Sequence, residues 1–264
     1  MSDRNFCLTG LLVGVIFLTG VQRAQAESIR MGCFEIPPHI YSSSTGLPAG
    51  AAVNFFKIVA KKMGWDIVWL DPLPPARLIE YLKDGKEIDG APIIARTFER
   101  EKFLHYPKNH FYLAKPNFVV RKNNPLIRID SAKDVGGYVV GQFSRAAYSK
   151  FVIENKALFK FDIISPGKCL VEQHLNKLIL GRIDAVHTLD EFSLSFEAKR
   201  LGMDAKIKVL LLPEPPHPFY SVFCKNEKGK KLARQYDIAI KELEFTSDDY
   251  IEFIQAEFAL LDKN

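Results

Sequence analysis

The sequence predicts an α/β protein of two similarly wound lobes, with mostly parallel sheets and two strands crossing between the lobes. Three observations carry this. Strand-like runs alternate with amphipathic helical runs along nearly the whole chain, which is the pattern of βαβ units. A helix closing on glycine, followed three or four residues later by an aspartate at the start of a strand, occurs twice, at GKEIDGA (residues 85–91) and GRIDAV (residues 181–186). Two Val/Phe-rich runs ending in basic residues and asparagine, PNFVVRKN and FYSVFCKN, bracket the second copy. The implied division places residues 27–118 and 219–264 in a discontinuous first lobe and residues 119–218 in an inserted second lobe.

Residues 1–26 read as a cleaved secretory signal peptide. Arg4 supplies the positive start, residues 6–21 are apolar, and Ala24-Gln25-Ala26 offers an A-x-A cleavage site before Glu27. Glycines and threonines interrupt the apolar run, which argues against a membrane anchor, and no lipobox cysteine follows. The mature protein is therefore expected to begin at Glu27, without lipid, in the periplasm. Without the leader the balance is 34 basic against 30 acidic side chains, a net of +4. No basic run carries interleaved aromatics, so nucleic acid is not expected as a partner. Cys33, Cys169 and Cys224 remain, in no metal-ligand spacing. Cys33 and Cys224 sit in apolar strand-like runs and read as small buried hydrophobes, while any disulfide among the three stays open. No cofactor is expected.

Residues 28–34 form the first strand, followed by a Pro-Pro loop carrying His39 and Tyr41. Helical spacing over residues 53–63 puts Phe55, Ile58, Val59 and Met63 on one face, ending at Gly64. WDIVWL (residues 65–70) reads as a strand, and Arg77 opens a helix on Leu78, Ile79 and Leu82 that closes at Gly85. A buried strand over residues 88–94 leads into Thr97-Phe98-Glu99-Arg100. In the inserted unit, residues 139–141 form a strand and GQFSRAAY (residues 141–148) the following turn into a helix. A helix N-terminus there would present unpaired N–H groups to an anion, with Ser144 and Arg145 at that turn; Ser144 equally suits a helix cap. Residues 160–164 form a strand and Val171, Leu175, Leu178 and Ile179 face inward from a helix. The G-R-x-D-A strand, a helix through Leu194 and Leu201, and a strand over residues 206–212 complete the unit. Two amphipathic helices, through Tyr236 and Phe258, finish the chain. The inserted lobe carries 15 basic and 11 acidic residues against 19 of each in the first lobe, a weak hint of an anionic ligand group met from the second lobe.

The run GKEIDGAPII followed by Thr-x-x-Arg at Thr97 to Arg100, together with D-V-G-G-Y-V-V-G (residues 134–141) at the start of the second lobe, resembles the family-3 bacterial solute-binding proteins. That resemblance covers almost all of the mature chain and implies the two-lobed type II periplasmic binding protein fold. It also implies capture of a small polar or anionic solute, an amino acid or related organic acid, by a monomer that delivers it to the permease subunits of an ABC-type importer. On that resemblance Arg100 meets the ligand carboxylate, assisted by the second lobe's helix N-terminus at Ser144 and Arg145. Arg77 and an aromatic, Phe34 or Tyr41, belong to the first-lobe wall, although both aromatics also suit plain core packing. An acidic residue after the G-R-x-D-A strand would hold the ligand ammonium, with His187, Leu189 or Asp190 able to face the pocket.

The sequence departs from that pattern at three places. Ala76 stands where many members have tryptophan, so an aromatic wall is in doubt. Pro92, Ile93 and Ala95 are apolar where amino-acid binders usually show hydroxyls. Asp190 lies about one residue beyond the expected acid. An unpaired buried ammonium costs several kcal/mol, so either Asp190 swings in or the ligand is not an ordinary α-amino acid; the second fits better. Two other classes compete with an importer component. A dehydratase-like enzyme on this scaffold would need a general acid, for which His39, His187 and Glu35 are available. A ligand-sensing module would need to dock on a membrane receptor.

Overall fold

A computed structural model describes residues 27–164 and 170–263. The expected leader and Cys169 lie outside the described residues. From Glu27 the chain enters β1 (Glu27–Met31), whose Ile29 and Met31 are buried. A loop follows that carries a two-strand hairpin, β2 (Tyr41–Ser42) with β3 (Pro48–Ala49). Helix α1 (Ala51–Met63) then runs to Gly64, which takes the left-handed conformation at φ 68. Its buried face differs from the expected stripe: Ile58 is exposed, while Ala52, Phe56 and Ala60 are buried beside Phe55 and Val59. The helix packs on a sheet strand and on the two C-terminal helices, so a broader face is covered than one amphipathic stripe needs.

Strand β4 (Trp65–Trp69) pairs in parallel with β1. Helix α2 (Pro75–Asp84) buries Leu78 and Leu82 and stops at Gly85, also left-handed at φ 65. Strand β5 (Gly90–Ala95) is buried along its whole length between β1 and the returning chain. Short strands β6 (Leu104–His105) and β7 (Tyr112–Ala114) follow. The chain then crosses at residues 115–116 into the second sheet, starting with β8 (Asn117–Arg121). There it makes β9 (Val139–Phe143), a five-residue helix α3 (Lys150–Glu154), β10 (Lys160–Ile164), α4 (Leu170–Ile179), β11 (Ala185–Thr188), α5 (Ser193–Arg200) and β12 (Ile207–Leu211). It returns over residues 212–216 into β13 (His217–Cys224), then α6 (Glu227–Leu243) and α7 (Ser247–Leu261), whose starts are capped by Asn226 and Thr246.

The Val/Phe-rich runs are thus the strands on which each crossing lands, and the crossings themselves are the short segments just before them. The sheets run β4-β1-β5-β13-β6, with β7 also on β13, and β10-β9-β11-β8-β12. Both are mixed rather than mostly parallel. The three strands joined through helices are parallel, whereas β13 and β8 are antiparallel to their neighbours, because each enters its sheet from the crossing side. Among the described residues no helix is long and apolar enough to cross a membrane.

The aspartate that follows each helix-closing glycine has one structural job in both lobes. The Asp89 carboxylate accepts the backbone N–H of Arg30, near the end of β1, at 2.8 Å, and Asp184 accepts that of Val139 in β9, at 2.9 Å. Each aspartate therefore ties a central strand to the strand beginning beside it, and Lys228 (2.8 Å) and Arg30 pair with Asp89 as well. The copies differ at the next residue, Gly90 against Ala185. A Cβ on Gly90 would stand 2.2 Å from the Val222 carbonyl oxygen of β13. Gly90→Ala is accordingly expected to cost roughly 1–3 kcal/mol, at the upper end because the obstacle is backbone. Urea denaturation checks this; a loss below about 0.5 kcal/mol would contradict the close approach. Cys33 and Cys224 are buried and free, and burial pushes both thiols up to about 12.

Candidate functional site

A cleft between the two sheets holds about 1270 Å³ of empty space, its solvent-open mouth included. The first-lobe side is built from the exit of β1, the first turn of α2 and the end of β5; the second-lobe side from the turn after β9 and the loop after β11. Phe34, Ile79, Ile93, Phe143, Leu189 and Phe219 make most of its surface apolar. Of the expected site residues, the fold brings Phe34, Arg100, Ser144, Arg145, His187 and Asp190 to this cleft and leaves out Arg77 and Tyr41.

The two exclusions have local causes. Arg77 is exposed on α2 and donates to the Tyr81 hydroxyl one turn later, at 2.8 and 3.2 Å, with its guanidinium over the tyrosine ring. Residues four apart face each other on a helix, so the arginine is captured on its own helix. Tyr41 lies in the hairpin and donates to the Glu257 carboxylate of α7 at 2.6 Å. The tryptophan-like wall in doubt at Ala76 is supplied by aliphatic side chains, with Phe34 and Phe219 beside them.

The expected helix N-terminus at Ser144 and Arg145 is not formed. Arg145 takes the left-handed conformation at φ 62, the chain turns, and α3 begins only at Lys150, with Ser149 as its cap. A residue in that conformation cannot open a right-handed helix, so what this turn offers the cleft is a carbonyl and two side chains. The Arg145 carbonyl accepts from Arg100 at 3.3 Å.

Arg100 starts the short turn of 3₁₀ helix after β5, where its backbone N–H is held by Thr97 Oγ1. Its half-buried guanidinium donates to the Ala95 carbonyl at 2.9 Å as well as to Arg145. Among the described residues no carboxylate lies within salt-bridge distance of it, because neighbouring Glu101 is taken by Arg96. Burial pulls the Arg100 pKa down, opposed by Tyr106 and Glu99. Five donors on the fork with two engaged leave three for a ligand.

Asp190 is the reverse case, a buried anion with every oxygen engaged. Oδ1 accepts from the backbone N–H groups of Phe192 and Ser193, both at 2.9 Å, and from His39 Nε2 at 3.3 Å. Oδ2 accepts from the Ser193 hydroxyl at 2.8 Å, while the Thr188 hydroxyl donates to the Asp190 backbone carbonyl at 3.0 Å. Burial pushes this carboxyl up, but the His39 side chain and the Ser193 donors outweigh it and hold it below its ordinary value. His39 in turn meets Tyr250 of α7 at 2.8 Å. Asp190 therefore ties the loop after β11 to the first lobe. Beside it, Glu191 accepts from Tyr112 and from the Lys115 backbone at the crossing.

His187 is buried on β11. Its Nδ1 pairs with Gln142 Oε1 of β9 at 2.8 Å, its ring is stacked on Tyr148, and Nε2 has no partner among the described residues. Burial, with a smaller push from His217, drops its pKa to about 3. Sequence reasoning missed Gln142 and the His39–Tyr250 pair. Gln142 was visible as a lone polar residue in the apolar strand VVGQF; the His39 partners lie 151 and 211 residues away and leave no local trace.

The description "bacterial extracellular solute-binding proteins, family 3" belongs to the family model that matches residues 29–255. No curated protein matches. Among solved structures, an ancestral arginine-binding protein bound to glutamine is 22% identical at TM-score 0.68, covering 89% of this chain and 99% of that one. An amino-acid ABC transporter substrate-binding protein from Streptococcus pneumoniae, bound to L-arginine, is 18% identical at TM-score 0.71, covering 89% and 95%. The periplasmic VFT2 domain of BvgS from Bordetella pertussis is 16% identical at TM-score 0.71, covering 87% and 92%. At these identities the likeness establishes the two-lobed type II fold.

Proposed function

The chain belongs to the bacterial extracellular solute-binding proteins, family 3, and from that premise we propose that it captures a small carboxylate-bearing organic acid in the periplasm for an ABC-type importer. One observation carries the ligand class: Arg100 presents a half-buried guanidinium to the cleft with no carboxylate paired to it among the described residues. A cation drawn out of water without a counter-charge is costly, and a bidentate carboxylate is the partner that best fits its fork. The other charged residues of the cleft do not cancel it. Asp190 is saturated, Glu35 is exposed and accepts from Ser42, and Arg145 adds positive charge at the rim. Export through a leader ending at Ala26 and delivery to permease subunits complete this reading.

A catalytic reading has less support. A general acid must carry an acidic proton near its operating pH, and His187, with its pKa lowered by burial to about 3, is a neutral imidazole at neutral pH, its one proton engaged with Gln142.

The test is a thermal-shift series of small acids against their methyl esters and amides. A ligand at 100 times its dissociation constant adds about 2.7 kcal/mol of stability. Carboxylates are expected to raise the melting temperature and their neutral derivatives to do nothing; equal shifts from the esters, or stabilisation by neutral or cationic solutes alone, would overturn the assignment.

A further inference from the structure

The cleft pairs an unanswered cation with an unanswered acceptor, and the acceptor has a defined chemistry. Gln142 Oε1 can only accept, so the 2.8 Å contact with His187 Nδ1 places the imidazole proton on Nδ1. Nε2 is then a bare lone pair on a residue 1% exposed that lines the cleft, and it has no partner among the described residues. Tyr148 stacks on the ring with planes 16° apart and Phe118 meets it edge-on, so the imidazole is fixed in place. A buried acceptor without a donor carries a desolvation penalty that a ligand donor would remove.

Asp190 decides what kind of donor. A carboxylate has about four lone-pair positions, and Asp190 already accepts from four donors, two of them backbone N–H groups, one the Ser193 hydroxyl and one the His39 ring that joins it to the first lobe. An ammonium held beside Asp190 would find that carboxylate saturated; the other acid of the cleft, Glu35, is exposed and accepts from Ser42, so burial of the ammonium would be poorly compensated. A hydroxyl needs only an acceptor.

Resting on the carboxylate reading above, we propose that the ligand is a hydroxy acid on an apolar body: its carboxylate meets Arg100, and its hydroxyl, in place of an α-ammonium, donates to His187 Nε2. The apolar body lies against Phe34, Ile93, Leu189 and Phe219. His187 is thereby the residue that sets specificity between hydroxy acids and both their unsubstituted and their amino counterparts.

The experiment uses two matched sets: 4-methylpentanoate, its 2-hydroxy derivative and L-leucine; and 3-phenylpropanoate, its 2-hydroxy derivative and L-phenylalanine. Each is titrated calorimetrically into the wild type, into His187→Phe, and into His187→Phe/Gln142→Leu, which removes the amide oxygen that the single change leaves unpaired. In the wild type, one set or both should show the hydroxy acid binding roughly tenfold tighter than the unsubstituted acid. It should exceed the amino acid by roughly a hundredfold or more. In the double variant the hydroxyl preference should collapse to about unity, while the unsubstituted acid keeps its affinity and thermal unfolding confirms the fold. Unsubstituted and hydroxy acids binding alike, an amino acid binding as tightly as its hydroxy analogue, or a hydroxyl preference that survives in the double variant would each overturn the proposal while leaving the carboxylate reading intact. Failure of all six compounds to bind would overturn the carboxylate reading itself, and the proposal with it.

Discussion

Arg100→Ala is expected to weaken binding of a carboxylate ligand by about one to two orders of magnitude, since a charge-assisted hydrogen bond contributes roughly 1.5–3 kcal/mol. Part of the loss is indirect. The same guanidinium donates to Ala95 in the first lobe and to Arg145 in the second, so truncation also removes a bond across the cleft. Arg100→Lys should recover only part of the affinity, because an ammonium on a flexible stem cannot serve two carbonyls and a bidentate ligand together. Calorimetry with whichever acid stabilises the protein most decides the matter. Unchanged affinity in Arg100→Ala would remove Arg100 from the site, and the competing idea that it serves only to pair with a neighbouring acid is already weakened by the Glu101–Arg96 pair.

Asp190→Ala is expected to destabilise the protein by about 3–5 kcal/mol, since several buried donors are left unpaired together and each costs about 1–3 kcal/mol before relaxation. It would orphan two backbone N–H groups, the Ser193 hydroxyl and His39 Nε2 at once. The same buried groups set the acid response. The Asp190 pKa is depressed in the folded state, so its contribution is complete above the unfolded carboxylate value, about 3.9, and is lost as pH falls through its folded pKa. His187 and His174 are depressed to about 3 and about 4, chiefly by burial. Each contributes fully above the unfolded histidine value, about 6.5, and loses that contribution as pH falls from there toward its folded pKa. The slope is at most about 1.4 kcal/mol per pH unit for each histidine. Burial raises Glu191 and Glu257, which act in the opposite sense just above their ordinary pKa. Urea denaturation at pH 7, 5.5 and 4.5 should therefore show stability falling well before carboxylates titrate, with a shallower fall in His187→Phe. A flat profile across that range would show that these histidines are not held neutral by burial.

The elements of this fold were legible because their signals are local. Gly64 and Gly85 closed their helices as left-handed caps, and Gly181, which follows α4, takes the same conformation; that geometry disfavours side chains and is written into single residues. The runs G-K-E-I-D and G-R-I-D marked equivalent strands because each short loop, though one residue different in length, brings its aspartate to a central strand's N–H. Arg100 was singled out by resemblance, as the arginine of the Thr-x-x-Arg run that follows such a strand. What the chain could not show locally was which charges cancel. Asp190 reads as a free acid one residue out of place, and only the packing of a loop from the first lobe and of α7 brings His39 against it and Tyr250 behind. Ser144 and Arg145 read as a helix start, until a single left-handed residue moved that start to Lys150. Periodicity and turn chemistry in the sequence marked the alternating strands and helices of the two lobes, and the family resemblance of its Thr-x-x-Arg run pointed to Arg100. Tertiary structure decided that the cleft's anion is already spent and its histidine is not, because hydrogen-bond saturation depends on partners that only folding brings within 3 Å or so.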